Sequence, residues 1–195
     1  MEHITRLSEL ADKYGKRIML WGDIVRKYPR QIKSVPADAV LLDWGYDARH
    51  PFNEIRDFKN AGTAFYACPG TSSWISLFPR LHESAANIAG FADAGKRHGA
   101  QGLLTTDWGD GGHYNFMEYS WYGYLFGAEQ AWNTKASRKS FTKRFCKLFF
   151  EIESDDFVRA VDKLGDISHL AVNGYYQSVW QHIFFATPDS ELFTN

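Results

Sequence analysis

The chain has 195 residues, enough for one ordinary domain with a substantial core. Its 22 Lys and Arg stand against 23 Asp and Glu, so it offers no electrostatic footprint for nucleic acid or an anionic membrane, and a small neutral ligand fits better. Cys68 and Cys146 are its only cysteines, too few for a disulfide framework and without zinc spacing, and they are expected to be reduced thiols not bonded to each other.

Residues 3–15, HITRLSELADKYG, place Ile4, Leu7, Leu10 and Ala11 on one helical face and stop at Gly15. RIMLWGDIV (17–25) is a short apolar run closed by Gly22 and Asp23, and after a Pro-containing connection AVLLDWGYD (39–47) repeats that arrangement. It recurs twice more. GTAFYACPG (62–70) follows the helical segment FNEIRDFKNA, and GAQGLLTTDWGD (99–110) follows ISLFPRLHESAANIAGFADAGKRH (75–98), which reads as helical. EYSWYGYLFGAEQAW (118–132) reads as the helix after the last strand. Beyond Thr134, SRKSFTKRFCKLFFE, DFVRAVDKL and NGYYQSVWQHIFF read as helices with no strand signal.

Apolar runs without alternation, separated by helical segments, are the pattern of parallel strands buried on both faces in an α/β fold. Each run ends in aromatic and polar residues, the arrangement of a β/α barrel whose site is built from the loops after the strands. About four such units are visible where a full barrel needs eight. Residues 1–133 are therefore expected to be a partial TIM barrel, and 134–195 a small helical C-terminal region. Half a barrel leaves two sheet edges and an apolar interior open, which favours self-association or pairing with a complementary half.

The strand ends hold the candidate chemistry. Trp21 with Asp23, Trp44, and Trp108 with Asp110 suit carbohydrate, because sugar rings pack C–H faces on indole while their hydroxyls donate to carboxylates. The alternatives at single positions are core packing for the tryptophans and helix N-caps for Asp23, Asp43, Asp107 and Asp110. His113 follows a Gly-Gly turn and could contact a ligand or sit on the surface. His50, followed by Pro51, reads as a loop residue, and Asp47, Arg49 and Glu54 as partners of one another or of solvent. GDGGH lacks the spacing and the Lys of a phosphate-binding loop.

The order KYGKRIMLWGD, AVLLDWGY, GTAFYACPG and GAQGLLTTDWGD resembles the second half of the catalytic barrel of family 20 glycoside hydrolases, the β-N-acetylhexosaminidases. The resemblance spans roughly residues 1–133, and its most specific element is the Trp-x-acid pair after the last strand. It implies strands 5 to 8 of a (β/α)8 barrel, with Trp108 as the aromatic platform and Asp110 as the acid that binds sugar hydroxyls. Most members carry Glu where Asp110 stands. Trp21 and Trp44 would be aromatic walls, with Asp23 close by, and Tyr66 would match the tyrosine that holds the acetamido oxygen.

Family 20 enzymes hydrolyse by substrate assistance, an exception to the usual two-carboxylate scheme. The resemblance implies a working Asp-Glu pair after the fourth strand, and no adjacent Asp-Glu precedes the first helix of this chain. The expected activity is removal of terminal β-linked N-acetylglucosamine or N-acetylgalactosamine, with this chain supplying the sugar-binding wall and no catalytic residue. A non-catalytic carbohydrate-binding half-barrel, or another α/β barrel with a similar rim, stays open. No metal or organic cofactor is implied. No run approaches the ~18 apolar residues of a membrane span, and the N-terminus lacks the order of a signal peptide, so the location is open and cytoplasmic at face value.

Overall fold

A computed structural model describes residues 2–110, 113 and 115–167. Four strands, β1 (Met19–Trp21), β2 (Val40–Trp44), β3 (Ala64–Cys68) and β4 (Gly102–Leu103), form one parallel sheet in the order β1-β2-β3-β4. Sequential parallel neighbours require a crossover between each pair, and helices supply them. Between β1 and β2 run α2 (Asp23–Lys27) and α3 (Pro29–Ile32), between β2 and β3 a 3-10 turn and α4 (Arg56–Ala61), and between β3 and β4 α5 (Leu81–His98). The molecule is thus a mixed α/β structure with a four-stranded parallel sheet, preceded by α1 (Glu2–Asp12) and followed by α6 (Trp121–Trp132), α7 (Arg138–Phe149) and α8 (Asp155–Asp166).

The Pro-containing connection between the first two strands holds two short helices, and Pro29 stands at the first position of α3, where its missing N–H costs nothing. One stretch differs from its sequence reading. The helix expected from residue 75 begins only at Leu81. Pro79 disfavours helical backbone at the residue before it, and Ile75 takes the left-handed conformation at φ +53°. Residues 69–80 are therefore a long, largely buried loop after β3. The expected helix at 173–185 and the glycines Gly111 and Gly112 lie outside the described residues.

Helix ends follow local chemistry. Lys96 and Arg97 sit in the last turn of α5, where positive charge meets the negative end of the helix dipole, and Gly99 closes it at φ +81°. Ser154 caps α8 by accepting from the Phe157 N–H, with Asp155 and Asp156 in the first turn.

The core has two parts. Leu41, Phe65 and Ala67 point from the sheet onto Ile55, Phe58, Phe91 and Ala94. Leu81, Ala85 and Ile88, on another face of α5, join Tyr122, Phe126, Phe141, Phe145 and Val161. One helix therefore ties the sheet to the terminal helices. The opposite sheet face carries Met19 and Trp21, both partly exposed, then Leu42, Tyr66 and Cys68. Both cysteines are buried free thiols, and burial pushes the Cys68 thiol up to about 12. Among the described residues no helix is long and apolar enough to cross a membrane.

Candidate functional site

The carboxyl ends of the strands frame a cleft of about 430 Å³ lined by Trp21, Asp23, Trp44, Tyr46, Trp74, Trp108 and Asp110. Its volume lies in the range of small-molecule sites, about 300–1,000 Å³. Each lining residue lies at a strand end or in the stretch that follows one, Trp74 in the loop after β3. Trp21 and Trp44 are the last residues of β1 and β2, Asp23 opens α2, Tyr46 follows β2 by two positions, and Trp108 and Asp110 lie in the loop after β4.

The rings form one connected wall. Trp21 and Trp108 approach to 5.4 Å between centroids, so side chains from the two outer strand ends meet across the sheet. Tyr46 is the hub. It stacks on Trp44 at 5.2 Å, meets Trp74 edge-on at 5.1 Å and lies 6.2 Å from Trp108. Indole N–H groups need partners in such a setting. The Trp108 indole donates to the Tyr46 hydroxyl at 2.7 Å and to Thr106 Oγ1 at 3.1 Å, and the Trp44 indole donates to Asp23 Oδ1 at 3.2 Å. Behind the wall, fully buried Asn87 of α5 donates to the Gly45 and Asp47 carbonyls and accepts from the Gly70 N–H. A single side chain thereby ties the loops after β2 and β3 together on either side of Tyr46.

Five of the seven expected site residues meet in this cleft: Trp21, Asp23, Trp44, Trp108 and Asp110. Tyr66 does not line it. It lies two residues before the end of β3, in register with Leu42 and Gly102, and its ring fills the space a β-carbon at Gly102 would occupy. His113 is also outside the cleft lining. Its Nε2 lies 3.7 Å from Asp107 Oδ2 and has no hydrogen-bond partner among the described residues.

None of the four strand-end aspartates acts as a helix N-cap. Asp23 lies inside the first turn of α2, whose cap is Gly22. Asp43 is a buried residue of β2 and pairs with Arg26 at 2.7 Å, and Arg26 also holds Glu54 at 2.9 Å. Burial pushes the Asp43 carboxyl up to about 7 against the opposing pull of Arg26, with the charges of Glu54 and Asp57 adding to the rise. Asp107 accepts three hydroxyl donors behind the wall, and Asp110 is exposed at the cleft rim. Asp47 pairs with Arg49 as expected, whereas Glu54 goes to Arg26. The His50 ring is packed on Phe91 at 5.0 Å, and burial lowers its proton affinity.

Chemically, the cleft offers apolar ring surface and two carboxylates, with no Lys or Arg among the described residues of its lining. Such a surface disfavours anionic ligands and favours a neutral molecule with C–H faces and hydroxyl donors. Among the described residues no group of three His, Cys, Asp or Glu could hold a metal ion. No protein-family model and no curated protein matches the chain.

Proposed function

We propose that this chain is a carbohydrate-binding half of a family 20-like glycoside hydrolase barrel, and that its cleft holds a terminal β-linked N-acetylglucosamine or N-acetylgalactosamine. The observation that supports this reading most is the joining of Trp21, Trp44, Tyr46, Trp74 and Trp108 with Asp23 and Asp110 at the carboxyl ends of parallel strands. That end is where β/α barrels build their sites. The sequential parallel strand order and the meeting of Trp21 with Trp108 are what a sheet curling toward a barrel produces.

In this reading the indoles of Trp21, Trp44 and Trp108 carry the sugar's C–H faces, buried Trp74 packs behind them against Tyr46, and Asp110 and Asp23 accept from its hydroxyls. Hydrolysis would follow the substrate-assisted route, in which the acetamido oxygen attacks the anomeric carbon while a separate acid protonates the leaving oxygen. Asp107 is unsuited to that task, because both of its oxygens are engaged by hydroxyl donors away from the cleft. The chain's own part is therefore binding, and the general acid belongs to a complementary barrel half.

Calorimetric titration with N-acetylglucosamine and with a thiazoline-type transition-state mimic tests this, beside Asp110→Ala and a chromogenic glycoside assay. The expected result is binding that Asp110→Ala abolishes, without turnover by the chain alone. Absence of binding by either ligand would overturn the reading. Binding that persists unchanged in Asp110→Ala would move the site away from this cleft.

A further inference from the structure

Three of the cleft residues are attached to a buried hydroxyl–carboxylate cluster that does not itself line the cleft. Thr71 Oγ1 and Ser73 Oγ donate to Asp107 Oδ1 at 2.7 and 2.5 Å, and Ser120 Oγ donates to Oδ2 at 2.6 Å. The Ser73 hydroxyl also lies 2.9 Å from that of Thr71 and 2.8 Å from that of Ser120. Three hydroxyls thus converge on one carboxyl group, two on Oδ1 and one on Oδ2. Thr71, Ser73 and Ser120 are each 1% exposed or less.

The cluster joins three separate segments. Ser73 immediately precedes Trp74 in the loop after β3, Asp107 immediately precedes Trp108 and stands three residues before Asp110, and Ser120 immediately precedes α6. It begins just past the end of the strand ladder, where Thr71 N donates to the Thr106 carbonyl and Thr106 N to the Pro69 carbonyl. The loop needs such an anchor, because Ser72 and Ile75 are non-glycine residues at φ +53°, a conformation that persists only where surroundings enforce it. On its other side Trp74 is held by Arg80, which donates to the Trp74 carbonyl at 2.8 Å and lies 5.4 Å from the ring centroid. The arrangement is not a nucleophilic triad: the serines bond the Asp107 carboxylate directly, with no histidine between them, and they are sealed from solvent.

We infer that Asp107 is the positioning residue of the cleft, and that its three hydroxyl bonds set the orientation of Trp74 and Trp108 and the reach of Asp110. The affinity consequence rests on the sugar-binding reading of the cleft, whereas the ring orientation does not. Losing one hydroxyl frees one end of the clamp, and losing the carboxylate leaves three buried donors competing for one acceptor.

The test uses the whole chain labelled with 5-fluorotryptophan, its fluorine resonances assigned through single Trp→Phe variants. Ser120→Ala is expected to shift or broaden the Trp108 and Trp74 resonances and to leave that of the exposed Trp132 in place. N-acetylglucosamine affinity should fall at least fivefold in Ser120→Ala and further in Asp107→Asn. The double variant should bind no more weakly than Asp107→Asn, since both changes break one unit. Trp108 and Trp74 resonances unmoved in folded Ser120→Ala would overturn the proposal even if Asp107→Asn fails to fold. If those resonances move while the unaltered chain does not bind N-acetylglucosamine, the positioning role stands and the sugar reading falls.

Discussion

The cleft wall and the terminal helices are both built from aromatic rings, yet the rings are used in opposite ways. In the helices, Tyr122, Phe126, Phe141 and Phe145 pack on one another, with Phe126 and Phe141 at 5.0 Å, and are almost wholly buried. Tyr122 keeps its hydroxyl satisfied internally on Thr142. At the strand ends the rings are Trp and Tyr, the Trp108 N–H points to the Tyr46 hydroxyl and the Trp44 N–H to Asp23, and Trp21 keeps 39% of its surface exposed. The difference comes from the backbone. A helix can turn a ring onto a neighbouring helix, whereas Trp21 and Trp44 end their strands on the sheet face opposite the helix-packed core.

Substitutions should separate the two sets. Phe126→Ala in the helical cluster is expected to cost about 3–5 kcal/mol of stability, the usual range for a buried Phe, measured by denaturant unfolding. A loss below about 1 kcal/mol would mean that the cluster is not a tight core. Trp108→Ala should do the reverse, weakening N-acetylglucosamine binding by about tenfold or more, roughly 1.4 kcal/mol, while lowering stability less than Phe126→Ala does. Asp110→Ala, at an exposed position, should abolish detectable binding and change stability by no more than about 0.5 kcal/mol. Equal stability losses at Trp108 and Phe126 would erase the contrast.

A smaller effect should come from Asp43, between the sheet and α2. Its carboxyl binds a proton more tightly folded, at about 7, than unfolded, at 3.8. The folded state therefore holds more protons between these values, and this group's contribution to stability declines as pH rises from about 4 to 7. Asp43→Asn should remove that decline, making the melting temperature less dependent on pH in this window; an unchanged profile would contradict it. Smallest of all, Cys68 and Cys146 should resist alkylation in the native protein, because both are buried and burial raises both thiols. Rapid labelling at neutral pH without unfolding would show that either site opens.

The four strands and most helices were legible because apolar runs, glycine stops and amphipathic spacing are local signals. The strand-end residues were legible for the same reason: Trp21, Trp44 and Trp108 close their runs in the sequence itself. Tyr46 carries a quieter signal, since its place two residues after Trp44 is the spacing that keeps side chains on one face of an extended chain. Reading 75–98 as one helix hides Trp74. The prolines at 69 and 79 bracket PGTSSWISLFP and mark a loop after β3, which would have placed a tryptophan at the mouth. The Asp107 and Asn87 contacts could not be read, since their partners lie 13 to 42 residues away and depend on how the loops fold over one another.

The central claim is that the strand-end indoles are a sugar platform and not a second core. A tryptophan fluorescence titration with N-acetylglucosamine, run on the unaltered chain, Trp108→Ala and Trp132→Ala, tests it most directly. A saturable change that survives in Trp132→Ala and vanishes in Trp108→Ala is the expected result. A flat response in the unaltered chain, or a response that Trp108→Ala leaves intact, would contradict it.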